Sequence, residues 1–136
     1  MNKKLMVLFL LFLMGCDSRS QIYQGDPYEV LGNGKWDFES NEAFCKGQFH
    51  RLSFSEDKSE MLIAFYDEKS QLVQKNTYTI LKYDGGILYM DLNGETRKDE
   101  TGKLVSWALL VNNEKQYCWR RHDWGEACTG AFLKCK

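Results

Sequence analysis

The stretch TYTILKYDGGILYMDL, residues 77–92, decides the fold class. Two runs rich in β-branched and aromatic side chains, 77–83 and 87–92, flank Asp84, Gly85 and Gly86. Asp-Gly and Gly-Gly pairs tolerate the positive φ that a tight hairpin requires, so the stretch reads as strand, turn, strand. The same grammar extends in both directions. Lys35-Trp36-Asp37-Phe38-Glu39 alternates strictly, as do the residues around 50–54, and 61–66 is continuously apolar. Runs at 104–111 and 116–120 follow, and polar breaks fall at 55–59, 67–70, 99–102 and 112–115. Breaks at this even spacing predict an all-β domain, an antiparallel meander closed as a small barrel or folded as a sandwich. An open sheet of about seven strands would carry two unpaired edges, which favours the barrel. No window reads as a long amphipathic helix, and a single helical turn is expected within 41–47.

The beginning of the chain has a different character. Met1-Asn2-Lys3-Lys4 carries two positive charges, and residues 5–14 form an uncharged run of ten. A helix that spans a bilayer takes about 20 apolar residues, so this run is too short and fits the apolar centre of an export signal. It ends in Leu13-Met14-Gly15-Cys16. This resembles the lipobox of bacterial lipoproteins, with Leu three places before the Cys and a small residue just before it. The resemblance implies that residues 1–15 are a signal peptide that is removed. It also implies that the Cys16 thiol takes a diacylglyceryl group and that the new amine is acylated, commonly with palmitate. One acyl chain binds a membrane only marginally, whereas two or three make a stable anchor. Asp17 resembles the sorting signal by which enterobacterial-type lipoproteins avoid the outer membrane, which implies the periplasmic face of the inner membrane. Residues 16–30 lack sustained periodicity and read as a flexible lipidated tether, leaving 31–136 as a single β domain.

Composition narrows the rest. The formal net charge is −1, loss of Lys3 and Lys4 makes it more negative, and no block of like charge exists. Nucleic acid and acidic polymers are therefore poor partners by bulk electrostatics. An aromatic share of 14% with one proline is the composition of a packed domain rather than a disordered tail. Once Cys16 is lipidated, Cys45, Cys118, Cys128 and Cys135 remain. An even count in an exported domain reads as two disulfides. Three pairings are possible; the favoured one joins Cys118 to Cys128 across the last hairpin and leaves Cys45 with Cys135. The spacings are irregular and contain no C-x-x-C, which speaks against zinc.

Gly34-Lys35-Trp36 opens the first expected strand, and Arg120 and Arg121 stand near the last. This is similar to the lipocalin pattern, a G-x-W on the first strand with an arginine from the final strand packed over the indole. The resemblance implies a lipocalin-like barrel. A counterpart of that family's middle motif is not found.

Catalytic signatures do not stand out. The two histidines, His50 and His122, are far apart in sequence, no G-x-S-x-G elbow occurs, and no Gly-rich loop leads from a strand into a helix. Pairing Cys128 with His122 as a nucleophile would need a thiolate that a disulfide removes. A metal site at His122, Asp123 and Glu126 is conceivable, but such trios are common in charged loops, and neither metal nor cofactor is expected. The unusual stretch is 117–128, which packs two Trp, two Arg, a His and acids into a dozen residues. Trp and Arg dominate binding hot spots, so Trp119, Arg120, Arg121, His122 and Trp124 are the candidate binding residues. The alternative is a final strand whose aromatics fill the core, with Tyr117 and Trp119 on one face. The expected function is thus a membrane-anchored, non-catalytic binding module for a periplasmic protein partner or a small apolar ligand, in an inhibitor, immunity or assembly role. A structural or accessory envelope lipoprotein of a membrane complex is the alternative, and an enzyme is less favoured.

Overall fold

A computed structural model describes residues 23–40 and 44–136. A short helix, α1 (Pro27–Leu31), precedes eight strands: β1 (Trp36–Phe38), β2 (Phe49–Phe54), β3 (Glu60–Tyr66), β4 (Leu72–Asp84), β5 (Ile87–Leu92), β6 (Trp107–Asn113), β7 (Gln116–Arg121) and β8 (Phe132–Lys134). Each strand pairs antiparallel with the next, and β8 pairs back onto β1, so the meander is a closed barrel and not a sandwich. The architecture is consistent with a lipocalin-like barrel. At the Asp84 turn, Asp84 pairs with Ile87 while Gly85 and Gly86 take φ of 57° and 83°. Two successive positive φ values define the hairpin turn whose twist matches its strands.

Alternation places the core. In β2, His50 and Leu52 are buried and Arg51 and Ser53 are exposed; in β5, Leu88 and Met90 are buried. The interior is completed by Trp36, Met61, Ile63, Tyr78, Leu109, Val111, Tyr117 and Trp119. Full burial of one large apolar side chain stabilises by about 1.5–3 kcal/mol. An apolar inside with Arg51, Ser53, Gln74 and Lys75 outside is the reverse of what a lipid-embedded barrel presents.

Helix α1 revises the extent of the expected tether. Asp26 caps it by accepting from the Tyr28 and Glu29 N–H groups at 2.9 and 3.4 Å, and Pro27 sits where a missing N–H costs nothing. Val30 and Leu31 are buried and plug one end of the barrel, and the Trp36 indole N–H donates to the Leu31 carbonyl at 3.1 Å. The folded domain therefore includes residues that the sequence pattern assigned to the tether. Residues 1–22, with Cys16 and Asp17, lie outside the described part, as do residues 41–43 of the expected helical turn; Phe44, Cys45 and Lys46 form a turn.

Two further expectations change. The last strand is β8, not the run that contains Arg120 and Arg121. The cation over the Trp36 indole is consequently Lys134 of β8, its Nζ 5.2 Å from the ring. β8 lies between β7 and β1, which keeps both arginines away from Trp36. Residues 104–106 are also not strand; they lie in the β5–β6 connection, where Leu104 bridges Lys98 and the Val105 N–H donates to the Arg97 carbonyl.

Disulfides join Cys45 to Cys135 and Cys118 to Cys128, across 90 and 10 residues. On the chain-entropy model these closures contribute about 4–5 and about 3 kcal/mol. Replacing Cys45 and Cys135 together by Ser should therefore lower the urea-unfolding free energy by about 2 kcal/mol more than replacing Cys118 and Cys128. Equal losses would show that loop closure does not set their worth.

Candidate functional site

The two ends of the barrel differ. α1 and the tight β2–β3, β4–β5 and β6–β7 turns close one end. The other carries the longer connections, among them 93–106 and 122–131. The aromatic and basic stretch 119–124 leaves β7 at this loop end, and the structure divides its residues. Trp119 is only 9% exposed and stacks on Tyr78 inside the barrel at 5.2 Å, so it is a core residue and not a contact surface. Strand alternation turns Arg120 to the outer wall opposite Ala108, and its Nε is buried without a hydrogen-bond partner among the described residues. Neither belongs to the rim.

Arg121 and Trp124 do. The Arg121 guanidinium donates through Nε and an Nη to both oxygens of Asp123, at 2.7 and 2.6 Å, and lies 5.6 Å from the Trp124 ring. Trp124 is 40% exposed and meets Trp107 edge-on at 5.8 Å. Trp107 repeats the arrangement: the Arg97 guanidinium lies 4.9 Å from its ring, and Glu95 accepts from Arg97 at 2.6 and 2.9 Å and from the Trp107 indole N–H at 3.3 Å. Two indoles thus stand edge to face, each under an arginine that a carboxylate holds in place. At solvent-exposed sites a cation over an indole is worth about 0.5–1 kcal/mol. The arginine hydrogen bonds hold the Glu95 and Asp123 carboxyls below the usual range. Glu95, Arg97 and Trp107 escaped the sequence reading. Their signal was the acid–x–Arg spacing of Glu95 and Arg97, the mirror of Arg121 and Asp123, which gains meaning only once β6 and β7 pair.

His122 ties the two rim loops together. Its Nδ1 accepts from the Ser106 N–H at 2.9 Å, so Nε2 carries the proton that it donates to Asp99 at 2.8 Å. The Thr101 hydroxyl and His122 hold the Asp99 carboxyl well below its ordinary value. With His122 on Asp99 and Asp123 on Arg121, the trio with Glu126 is not assembled, and the described residues contain no group of three metal-ligating side chains. The loop is fixed at its base by Cys118–Cys128, and Trp119 and Thr129 exchange hydrogen bonds at 2.8 and 2.9 Å. The disulfide also consumes the Cys128 thiol.

Inside the mouth lies a second arrangement that the sequence did not disclose. His50, 5% exposed, is hydrogen-bonded to the fully buried Tyr117 hydroxyl. Phe65 and Phe132 lie against its ring at 5.6 and 5.3 Å. A cavity of about 290 Å³ opens beside it, lined by Phe38, Phe49, Phe65, Tyr66, Val73 and Phe132 together with the polar Asp37, Gln48 and Asp67. Deeper in, Tyr117 stacks on Phe132 at 5.1 Å and meets Trp36 at 4.9 Å, so aromatic rings occupy the barrel axis. Comparison of the chain with protein-family models, with curated proteins and with solved structures finds no match.

Burial pushes the His50 imidazole down from 6.5 to about 4, and the Asp37 charge opposes this only in part. A histidine lowered on folding favours the neutral form, so between those values the unfolded chain binds more protons. Stability should fall as pH drops from 6.5 toward 4, by about 3 kcal/mol in all. Denaturation midpoints at stepped pH check this, with His50→Gln expected to flatten the slope in that window; an unchanged slope would assign it to other groups.

Proposed function

We propose that the chain is an envelope lipoprotein, anchored through acylated Cys16, whose barrel is a non-catalytic binding module for a protein partner. The anchor rests on the lipobox at residues 13–16 behind a short apolar run. Asp17 directs it to the periplasmic face of the inner membrane by resemblance to sorted lipoproteins. Among the described residues no helix is long and apolar enough to cross a membrane.

One observation carries the binding reading: the part-exposed Trp124, held by Arg121 and Trp107 on a disulfide-clamped loop. A large flat side chain that is ordered before contact loses little entropy on binding. Such Trp and Arg anchors supply most of an interface's energy. The ring-filled axis supports a protein partner over a ligand carried in the centre. A small apolar ligand at the mouth is the second reading; its support is the cavity of about 290 Å³ beside His50, at the lower edge of the roughly 300–1,000 Å³ of small-molecule sites.

Crosslinking capture from the native envelope, followed by Trp124→Ala, tests the proposal. Affinity for the captured protein should fall about thirtyfold, as for a hot-spot residue. Stability should change by no more than about 1 kcal/mol, since the side chain is partly solvated. Undiminished capture, or a loss near the 3–5 kcal/mol of a core Trp, would remove the loop from recognition.

A further inference from the structure

On the outer wall of β7 and β8, beside the end closed by α1, lies a groove of about 670 Å³. Lys46, Lys115, Lys134 and Lys136 line it around an apolar floor that includes Phe44 and Leu133. No acidic side chain lines it among the described residues. These lysines come from three places in the chain: the turn after β1, the β6–β7 turn, and β8 with its trailing residues. The Cys45–Cys135 bond pins the first against the third, and the Lys134 N–H donates to the Lys115 carbonyl at 2.9 Å, joining the third to the second. A net charge of −1 conceals this concentration. Fields act over a Debye length of about 8 Å at physiological salt, so the local charge decides what docks here.

The chain leaves the barrel close by. Tyr23 packs against the core and shares a cleft with Lys115 and Lys134. Glu29 and Glu114 also line that cleft, so the basic character belongs to the groove and not to the whole end. Tyr23 stands seven residues after Cys16, a covalent reach of about 25 Å at most. With Cys16 acylated, the barrel end that bears Tyr23 cannot leave the vicinity of the headgroups.

We propose that this groove docks acidic phospholipid headgroups of the membrane that holds the anchor, phosphates on the lysines and the glycerol and first acyl carbons on Phe44 and Leu133. The barrel then rests against the bilayer with its Trp124 end turned away. This rests on the anchoring reading above. Each lysine near an anionic surface strengthens association about fivefold.

The test uses protein purified from membranes. The mass of its N-terminal peptide is read first and judges acylation on its own. Whatever that mass, the protein is placed with vesicles of phosphatidylcholine alone or with added phosphatidylglycerol. Labelling of each lysine by a water-soluble amine reagent is then mapped by mass spectrometry. Lys46, Lys115 and Lys136 should label about fivefold more slowly on the anionic vesicles, while Lys98 and Lys103, in the β5–β6 connection at the loop end, label equally on both. About 1 M NaCl, which shortens the Debye length to about 3 Å, should erase the difference. In the Lys115→Gln, Lys136→Gln variant, Lys46 should lose its protection while the urea midpoint is retained. Equal labelling on the two vesicles overturns the proposal. Equal protection by inorganic phosphate without vesicles assigns the groove to a free anion and overturns it too, as does protection that appears only with an acidic envelope protein.

Discussion

The barrel wall is completed where Phe132, Leu133 and Lys134 pair with Phe38, Asp37 and Trp36. Both strands are three residues long, so the ladder alone is a weak joint. Its reinforcement comes from outside the ladder. The Glu39 N–H donates to Ala131 at 3.0 Å, the Cys135 N–H to Lys35 at 2.8 Å, and the Cys45–Cys135 bond crosses the same seam. Asp37 accepts from the Cys45 N–H at 2.8 Å, which holds the turn carrying that cysteine. Gly130 makes the approach possible, because a Cβ there would meet the Phe38 ring at 2.7 Å. Without this seam β1 and β8 would be open edges, and Trp36 and Tyr117 would lose a wall of their core.

Closure also sets where everything else lies. To bring β8 beside β1, the chain must return from the end of β7 through residues 122–131, and that return forms the rim loop with Trp124. Cys118–Cys128 and the Thr129 hydrogen bonds press its second half onto β7, leaving Trp124 to lean on Trp107. On the opposite end the same seam carries Lys134 over Trp36 and draws Lys115, Lys136 and Lys46 around one groove. A short joint thus separates a rim of ordered indoles from a basic wall near the chain's exit.

Much of the wall was legible in the sequence because its signals are local. The Asp84, Gly85 and Gly86 turn and the alternation of His50, Leu52 and their neighbours need no tertiary information. β8 was invisible because Phe132, Leu133 and Lys134 are too few to show a period between Gly130 and Cys135. The first half of β4 escaped for another reason: Gln74, Lys75 and Asn76 face solvent on an exposed stretch, so no apolar repeat marks them. α1 was missed although its signal was present. Asp26 before Pro27 is a cap followed by a first-turn proline, but a helix of five residues is too short to add the periodicity that residues 16–30 lack. The rim was half legible, since Arg121 and Trp124 are neighbours in sequence while Glu95, Arg97 and Trp107 join them only through strand pairing. Alternation with Tyr117 left Trp119 open between contact surface and core, and only its stacking on Tyr78 inside the barrel decides for the core. His50 carried no sequence signal, because its meaning lies in the Tyr117 hydroxyl 67 residues away.

The dependence of the molecule on its seam is tested most directly by native-state amide hydrogen exchange. The parent is compared with a protein in which Cys45 and Cys135 are both Ser. Faster exchange is expected at the Glu39 amide, at the amide of position 135 that donates to Lys35, and at Trp124 in the rim loop, while the β3 and β4 amides keep their protection. Amides at Glu39 and position 135 as protected as in the parent would contradict it, since the seam would then be held by something other than the bond that crosses it.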